Sequence, residues 1–495
     1  MTRLFPLVAA SAAALTACAP TRIDFICLVE EPLCTLGDVL DDERPLATGV
    51  DITGVAMYQA VEKILMEDGA LVDDPVRVAE GREAIFRVSV TPHADFEERT
   101  LTARLYLYQE DTLIDAAQAD LDVRGPSDLA DAGSTFNIAV LGTSIVAPLS
   151  WSVELVEVDD AVNAGGADGV AEWPIDGPAA LETETTGPIR IYLVPVEYNG
   201  DNSGRLPDTS DTQLDTYRQY MYAHYPTTEV EIEVGEPFAS SIRVSSGGGG
   251  WSELLTQVGA LRSERGVDED TYIYGAFNPA DSEGAYGGGV YGLCNLAFTA
   301  ADAWARACIG LGFPGGTIAD TMVHEVGHAH GRNHSPCGGA AGPDPAYPHD
   351  NAIIGVRGYN LATDQFVDPT STYDYMSYCG PTWTSDFTWE YTFLRVAAVN
   401  DLYNARAEPQ LYMAAWVQSD GSIIWGEDQL LPGPPGGPRV EVELLGDKGR
   451  VLDTVDAWFN PYDHLPGGMV RLPTTDLPVD SVRIGGQTSP SRLSR

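Results

Sequence analysis

Alternating apolar and polar residues dominate the first third of the chain. Segments 84–90, 101–108 and 150–156 each alternate with a period of two, which is the pattern of half-buried β-strands. Polar turns separate these segments, and the arrangement predicts a β-rich, sandwich-like domain over residues 49–182. Within this domain, residues 55–66 are predicted to form a helix.

From residue 187 the pattern changes to strands that alternate with helices, which indicates an α/β unit. Residues 161–186, rich in Ala, Gly, Asp and Glu, are predicted to be a linker into this unit. We therefore expect a central α/β (α+β) domain over residues 187–405. Its predicted elements are strands at 189–196, 229–234 and 271–277 and helices at 212–224 and 251–264.

Strand-like patterns return near the C-terminus. Segments 411–417 and 439–445 are apolar and β-branched, and a proline cluster lies between them at 431–438. This pattern predicts a second β-rich domain over residues 408–495. The expected fold class is multidomain, with a central α/β domain flanked by β-rich N- and C-terminal domains.

The first residues are typical of an export signal. Residues 1–17 combine an arginine with about 12 apolar residues, too few to span a bilayer as a helix. The run Leu15-Thr16-Ala17-Cys18 resembles the lipobox of bacterial lipoproteins, in which the cysteine is acylated and becomes the first mature residue. The resemblance implies a lipoprotein signal peptide, a lipidated Cys18, attachment to the membrane by lipid only and a tether over residues 18–48. Ala19 in place of Asp implies the outer membrane, while an ordinary secretory peptide with an incidental Cys18 is the alternative.

Charge excludes one class of partner. The 495 residues carry 28 Lys plus Arg against 73 Asp plus Glu, a net charge of −45. Nucleic-acid binding needs basic side chains to neutralise phosphates, so no nucleic-acid partner is expected. The length suggests about three domains at roughly 150 residues each.

The cysteine count agrees with export. Removing the acylated cysteine from seven leaves an even number, and an exported chain with six cysteines favours disulfides, although 15 connectivities exist and sequence does not choose among them. The candidates form three pairs along the chain: Cys27 and Cys34, Cys294 and Cys308, Cys337 and Cys379.

Four of the eight histidines lie between positions 324 and 334, in the pattern H-E-x-x-H-x-x-G-x-x-H. On a helix, His324 and His328 are one turn apart on the same face, a spacing that lets both imidazoles bind one zinc ion. Gly331 permits the sharp turn that brings His334 back as a third ligand. Glu325 lies beside the first ligand, where it can take a proton from zinc-bound water and pass it to the leaving amine.

The specificity of this motif is high. A chain of this composition is expected to contain roughly 3 × 10⁻⁵ such patterns by chance. Three histidines leave the fourth zinc position to water, as in catalytic rather than structural sites. The sequence also predicts that Thr317 and Asp320 form a capping box at the start of the helix.

The sequence here resembles the metzincin zinc endopeptidases, whose second signature is a methionine turn beneath the metal. The run 373–379 looks like that turn and places Met376 42 residues after His334. The resemblance implies that Met376 supports the zinc site without binding the metal. It also implies that Tyr378 ligates the resting metal or donates a hydrogen bond to the oxyanion, although a buried aromatic role stays open. A narrower resemblance to secreted bacterial mucin-cleaving and pappalysin-like branches rests on residues 376–383.

Three further expectations concern neighbouring residues. A disulfide between Cys337 and Cys379 would clamp both halves of the site. Residues 286–291 are a candidate edge strand for pairing with an extended substrate. Asp-rich loops such as 201–211 leave calcium open without supporting it, because no EF-hand spacing exists.

The function expected from these features is that of a zinc-dependent endopeptidase in the cell envelope that hydrolyses extracellular proteins or glycoproteins. One alternative is a surface adhesion or binding lipoprotein with a catalytically silent domain, against which the intact Glu325 argues. A weaker alternative is a zinc amidase acting on peptidoglycan.

Overall fold

The computed structural model describes residues 44–158, 169–402, 410–426, 428–431, 435–475 and 477–490. The signal peptide, Cys18, the candidate cysteines Cys27 and Cys34 and nearly all of the tether lie outside these ranges. Within them, no helix combines the length and apolar character that crossing a bilayer requires.

The first part of the described chain forms two antiparallel five-stranded sheets. Their orders are β3-β2-β1-β4-β7 and β10-β8-β5-β6, with β9 paired to β8. The inward-facing apolar residues of both sheets form one core, in which the rings of Trp151 and Trp173 stack 5.8 Å apart. The strands are β1 (Val50–Tyr58), β2 (Glu62–Glu67), β3 (Ala70–Leu71), β4 (Ala84–Pro92), β5 (Arg99–Gln109), β6 (Thr112–Val123), β7 (Phe136–Val140), β8 (Leu149–Glu157), β9 (Glu172–Trp173) and β10 (Ala179–Leu181).

Two local predictions in this part are wrong. Residues 55–66 form no helix, because β1 is sandwiched between β2 and β4 and buries Val55 and Met57 in the core. Pairing with two neighbours outweighs the local preference of so short a segment. The expected linker at 161–186 also contributes β9 and β10, which pair with β8; residues 159–168 lie outside the described ranges.

A mixed six-stranded sheet lies at the centre of the chain, in the order β12-β11-β14-β16-β15 with β13 paired to β11. All its pairs are parallel except β15 with β16, so β15 is an antiparallel edge strand. The strands are β11 (Ile189–Tyr198), β12 (Val230–Val234), β13 (Phe238–Ser240), β14 (Thr271–Phe277), β15 (Gly292–Cys294) and β16 (Ala307–Leu311). The helices are α1 (Asp211–His224), α2 (Trp251–Arg265), α3 (Glu283–Tyr286), α4 (Gly316–Ala329) and α5 (Asp386–Leu402). The predicted strands and helices at 189–277 are confirmed to within two residues at either end.

The last described part forms an eight-stranded antiparallel sheet with its own apolar core. Its order is β22-β21-β26-β25-β24-β27-β28, with β23 paired to β21. Two small pairs precede it, β17 with β18 and β19 with β20. The strands are β17 (Gly358–Asn360), β18 (Gln365–Val367), β19 (Tyr373–Asp374), β20 (Thr382–Trp383), β21 (Gln410–Val417), β22 (Ile423–Trp425), β23 (Gln429–Leu431), β24 (Arg439–Leu445), β25 (Val451–Pro461), β26 (Gly468–Pro473), β27 (Ser481–Ile484) and β28 (Gln487–Pro490). Short 3-10 turns occupy Ala132–Ser134, Gly142–Ser144, Ala303–Ala305, Asp350–Ala352 and Asp447–Gly449.

A buried ion pair joins the eight-stranded sheet to the central part of the chain. Nη1 of Arg471 on β26 lies 3.0 Å from Oδ1 of Asp302, and both side chains are almost fully buried. The guanidinium also lies 3.6 Å from the ring centre of Trp304. This contact holds the eight-stranded sheet close to the segment between β15 and β16.

Candidate metal centre

Helix α4 carries the H-E-x-x-H segment and is held by its apolar face. Ile318, Met322 and Val326 are completely buried, as the helical spacing predicts. The helix begins at Gly316 after Gly315, which provides no side-chain cap. The predicted capping box is wrong because Thr317 already lies inside the first turn and its carbonyl accepts a hydrogen bond from Thr321.

Two glycines let the site close around this helix. A β-carbon on Gly327 would lie 2.3 Å from the sulfur of Met376, so the absence of a side chain lets the methionine turn pack directly under α4. Gly331 has a φ of +90°, which glycine adopts at low cost, and its turn redirects the chain toward His334. Met376 is fully buried beneath the helix.

The three histidines of the motif share one hydrogen-bonding arrangement. Nδ1 of His324 lies 2.8 Å from the carbonyl oxygen of Tyr375, and Nδ1 of His328 lies 2.7 Å from that of Arg332. Nδ1 of His334 lies 2.6 Å from the carbonyl oxygen of Ala341. Because a carbonyl only accepts, each Nδ1 carries the proton and each Nε2 presents a lone pair. This tautomer is the one that binds a metal through Nε2.

The lone pairs converge. Nε2 of His324 and Nε2 of His328 lie 3.2 Å apart, and Nε2 of His334 is buried without a hydrogen-bond partner. Two acceptors at this separation repel each other unless a cation lies between them. Metal–nitrogen bonds of about 2.0–2.1 Å at tetrahedral angles place two nitrogens about 3.3–3.4 Å apart, close to the separation seen here. The group can therefore hold a metal ion.

Burial lowers the pKa of all three imidazoles. The pKa of His324 falls to about 3, because burial and the neighbouring His464 and His334 disfavour its charged form. The pKa of His328 is lowered well below its usual value and that of His334 is lowered, in both cases mainly by burial. Neutral imidazoles are the form that binds metal ions, so burial prepares the ligands.

Glu325 lies beside the histidines and is only 1 % exposed. A β-carbon on Gly292 of β15 would lie 2.3 Å from its Oε1, so the glycine makes room for the carboxylate. Oε2 has no hydrogen-bond partner. Burial, and then the charge of Asp463, raises the pKa of Glu325. A bound cation would lower the pKa of Glu325, because it stabilises the carboxylate form.

Two residues at the site had no counterpart in the sequence prediction. Asp463 and His464 lie in the turn between β25 and β26, and their side chains complete a buried cluster with Glu325 and His328. Nε2 of His464 is 2.8 Å from Oδ2 of Asp463 and 3.3 Å from Oε1 of Glu325. Burial lowers the pKa of His464, but the charges of Asp463 and Glu325 outweigh it and raise this pKa well above its usual value. Burial alone would raise the pKa of Asp463, but His464 and His328 outweigh it and lower the pKa. The only sequence signal was the rarity of histidine.

Tyr378 lies at the mouth of the site. Its ring centre is 4.9 Å from that of His334, its hydroxyl shares a hydrogen bond with Nδ1 of His464, and 45 % of the residue is exposed. Burial of its hydroxyl end, and then the charges of Asp463 and Glu325, raises the pKa of Tyr378. The structure thus brings together the predicted residues His324, Glu325, His328, His334, Met376 and Tyr378.

His330, the fourth histidine of the segment, does not belong to the group. It is fully buried between the rings of Tyr225 and Tyr272, and its Nδ1 donates to the carbonyl of Val326. It is a core residue. Asp374 shapes the methionine turn and ties it to its neighbours, since its carboxylate accepts hydrogen bonds from the backbone N–H of Met376 and from the hydroxyls of Ser335 and Ser385.

Two disulfides brace the site, and both match predicted pairs. Cys294–Cys308 joins edge strand β15 to β16. Cys337–Cys379 links the segment after His334 to the residue after Tyr378. The expectation that residues 286–291 form the edge strand is wrong, since the edge strand is Gly292–Cys294. The preceding stretch contains Gly287, Gly288 and Gly289 at positive φ, which breaks a regular strand.

A cavity of about 470 Å³ lies beside the N-terminal half of α4. Tyr220 and His224 of α1 line it, together with Pro381 and Trp383 after the methionine turn. Asp320, one helical turn before His324, also lines the cavity, and burial raises its pKa to about 6. Because this pKa still lies below 7, the carboxylate of Asp320 is mostly ionised at neutral pH.

No model of a known protein family matches the sequence, and no curated protein matches it.

Proposed function

We propose that the protein is a zinc-dependent endopeptidase that hydrolyses peptide bonds of extracellular proteins or glycoproteins. One observation carries the proposal: three histidines with Nδ1 tethered to carbonyls point their Nε2 atoms together, beside a buried glutamate with a free oxygen. Tethered imidazoles with an adjacent carboxylate are the arrangement that hydrolytic metal sites use.

Each residue of the site has a chemical role in the proposed reaction. When bound, zinc supplies a Lewis acid that lowers the pKa of water and polarises the substrate carbonyl. His324, His328 and His334 would hold the ion through Nε2. Glu325 takes the proton of the attacking water at Oε2 and delivers it to the departing amine. The Tyr378 hydroxyl donates a hydrogen bond to the oxyanion that develops on the carbonyl.

The resemblance to metzincins supports this assignment and extends it to the fold. In this proposal the mixed sheet with an antiparallel edge strand, helix α4 and the turn at Met376 together form a metzincin-like catalytic domain. In this proposal the cavity beside α4 receives a substrate side chain, and Asp320 favours a basic one by charge. We further propose that Cys18, at the lipobox-like end of the signal peptide, carries the lipid that anchors the enzyme in the outer membrane.

The experiment uses the purified full-length protein. We expect one zinc per chain and chelator-sensitive cleavage of casein or mucin. Glu325→Gln should keep the zinc and lose the cleavage, because the amide cannot accept the proton; Glu172→Gln, at an exposed position on β9, is the matched control. His334→Ala should lose zinc, whereas His93→Ala should not.

Two results would contradict the proposal. Turnover retained by Glu325→Gln would show that Glu325 is not the base. Zinc content unchanged in His334→Ala would show that His334 is not a ligand. One zinc without cleavage of any protein, in the wild type and in His464→Ala alike, would favour the surface-binding alternative. Release of peptide from cell-wall fragments alone would favour the amidase.

A further inference from the structure

The turn at residues 462–467, between β25 and β26, reaches into the metal centre from the C-terminal sheet. Antiparallel pairing continues beyond β15, since Asn295 forms a bridge with Tyr462 and the backbone N–H of Leu296 donates to the carbonyl of Pro461. The side chain of Asn460 donates to the carbonyl of Leu296. The C-terminal chain therefore lies along the edge of the central sheet.

Asp463 extends this contact into the site. Its Oδ1 accepts a hydrogen bond of 3.1 Å from the backbone N–H of Cys294 on the edge strand. Its Oδ2 lies 3.3 Å from Nε2 of His328, and the side chain is fully buried. An extended peptide that added to this edge would need the backbone groups that residues 460–463 now occupy.

His464 occupies the open side of the three histidines. One of its ring nitrogens and one nitrogen each of His324, His328 and His334 all lie within 4.8 Å of one another. Its ring stacks over that of His324 with centres 5.5 Å apart and an angle of 13°. Four ligand nitrogens gathered within this distance are the number that a tetrahedral zinc site takes.

We propose that His464 is a fourth protein ligand of the metal and that the 462–467 turn keeps the enzyme in a closed form. This proposal rests on the proposed function, since it concerns the same metal. One turn fills both places that a peptide substrate needs, the edge of β15 and the fourth coordination position. With Glu325 and His334 at most 2 % exposed, the turn must leave before a peptide can enter.

The outer end of the turn rests on a glycine-rich loop. A β-carbon on Gly248 would lie 2.8 Å from Cδ2 of Leu465, so the loop at residues 245–250 fits against this leucine only without a side chain there. Gly467 adopts a φ of +106° where the chain returns to the sheet. The tip of the turn thus lies against the 245–250 loop, and its inner side lies against His328, Glu325 and the edge strand.

The test compares full-length wild-type protein with His464→Ala and His464→Phe, after loading with Co²⁺, whose visible spectrum reports its ligands. His93→Ala is the matched control, because His93 also pairs with an aspartate, Asp51, but lies on the N-terminal sheets. We expect both His464 variants to change the cobalt spectrum and to bind acetohydroxamate at least about tenfold more tightly, since a competing internal ligand is gone. Casein cleavage should rise in parallel.

Other outcomes overturn the proposal. Spectra and acetohydroxamate affinities equal to those of wild type would show that His464 is not a ligand. Loss of casein turnover with an unchanged spectrum would make His464 a catalytic donor instead. Failure of the wild-type chain to bind Co²⁺ or zinc at all would defeat the proposed function itself, and with it this proposal.

Discussion

Replacement of Gly292 by alanine should disable the proposed base without touching a metal ligand. A β-carbon on Gly292 would lie 2.3 Å from Oε1 of Glu325 and 2.5 Å from both Cδ and Cγ. Non-bonded carbons prefer separations of about 3.5–4.0 Å, so the carboxylate must move by about 1 Å. A misplacement of about 1 Å at a reacting centre can cost about 10²-fold in rate. Overpacking of this buried position should also lower the free energy of unfolding by about 1–3 kcal/mol.

The assay measures initial rates of fluorescent casein hydrolysis, zinc content and urea unfolding on the same preparation. Gly284→Ala is the control, because a β-carbon at this position of helix α3 would meet no other atom within 4 Å. Zinc content should stay at the wild-type level in both variants. Repeating the pair in a His464→Ala background separates displacement of Glu325 from any effect on the 462–467 turn. Wild-type turnover by Gly292→Ala would refute either the contact or the role of Glu325.

Three other substitutions test separate parts of the structure. Asp302→Ala should lower the free energy of unfolding by about 3–5 kcal/mol, because it leaves the buried Arg471 unpaired; the exposed Asp122→Ala should leave it unchanged in the same denaturant titration. Tyr378→Phe should lower kcat by about 10²-fold with little change in KM, as loss of an oxyanion donor does, and an unaltered kcat would assign the tyrosine to packing. Cys18→Ser should release the protein from membranes, so continued partition into detergent would contradict the lipid anchor.

Regular elements were predictable where the local pattern was strong. Strand β14 was predicted at its observed bounds, and helix α1 was predicted within one residue. Helix α1 buries Leu214, Tyr217 and Met221 at helical spacing, and β14 is a short run of mostly apolar and aromatic residues that is buried on both faces. The 55–66 segment was predicted wrongly because its conformation follows from pairing with β4, which lies farther along the chain.

The metal ligands could be read locally because helical geometry brings residues three and four apart onto one face. His324, Glu325 and His328 lie within five positions, and Gly331 returns the chain to His334 within three more. Such a constellation depends on backbone geometry that the nearby residues dictate. The cysteine pairs were candidates because the two members of each pair lie close along the chain. Their connectivity stayed open in the sequence, and for Cys294 and Cys308 it follows from the pairing of β15 with β16.

Tertiary contacts alone place His464, which lies 130 residues after His334 in a turn without any recognisable motif. Its position at the metal centre follows from the pairing of residues 460–462 with the edge of the central sheet and from the buried Arg471–Asp302 contact. Contacts between distant segments carry no periodic signal in the sequence, because they depend on how complete sheets meet. The local sequence therefore specifies the chemical groups of the site. The contact between the C-terminal sheet and the central sheet decides whether a substrate can reach them.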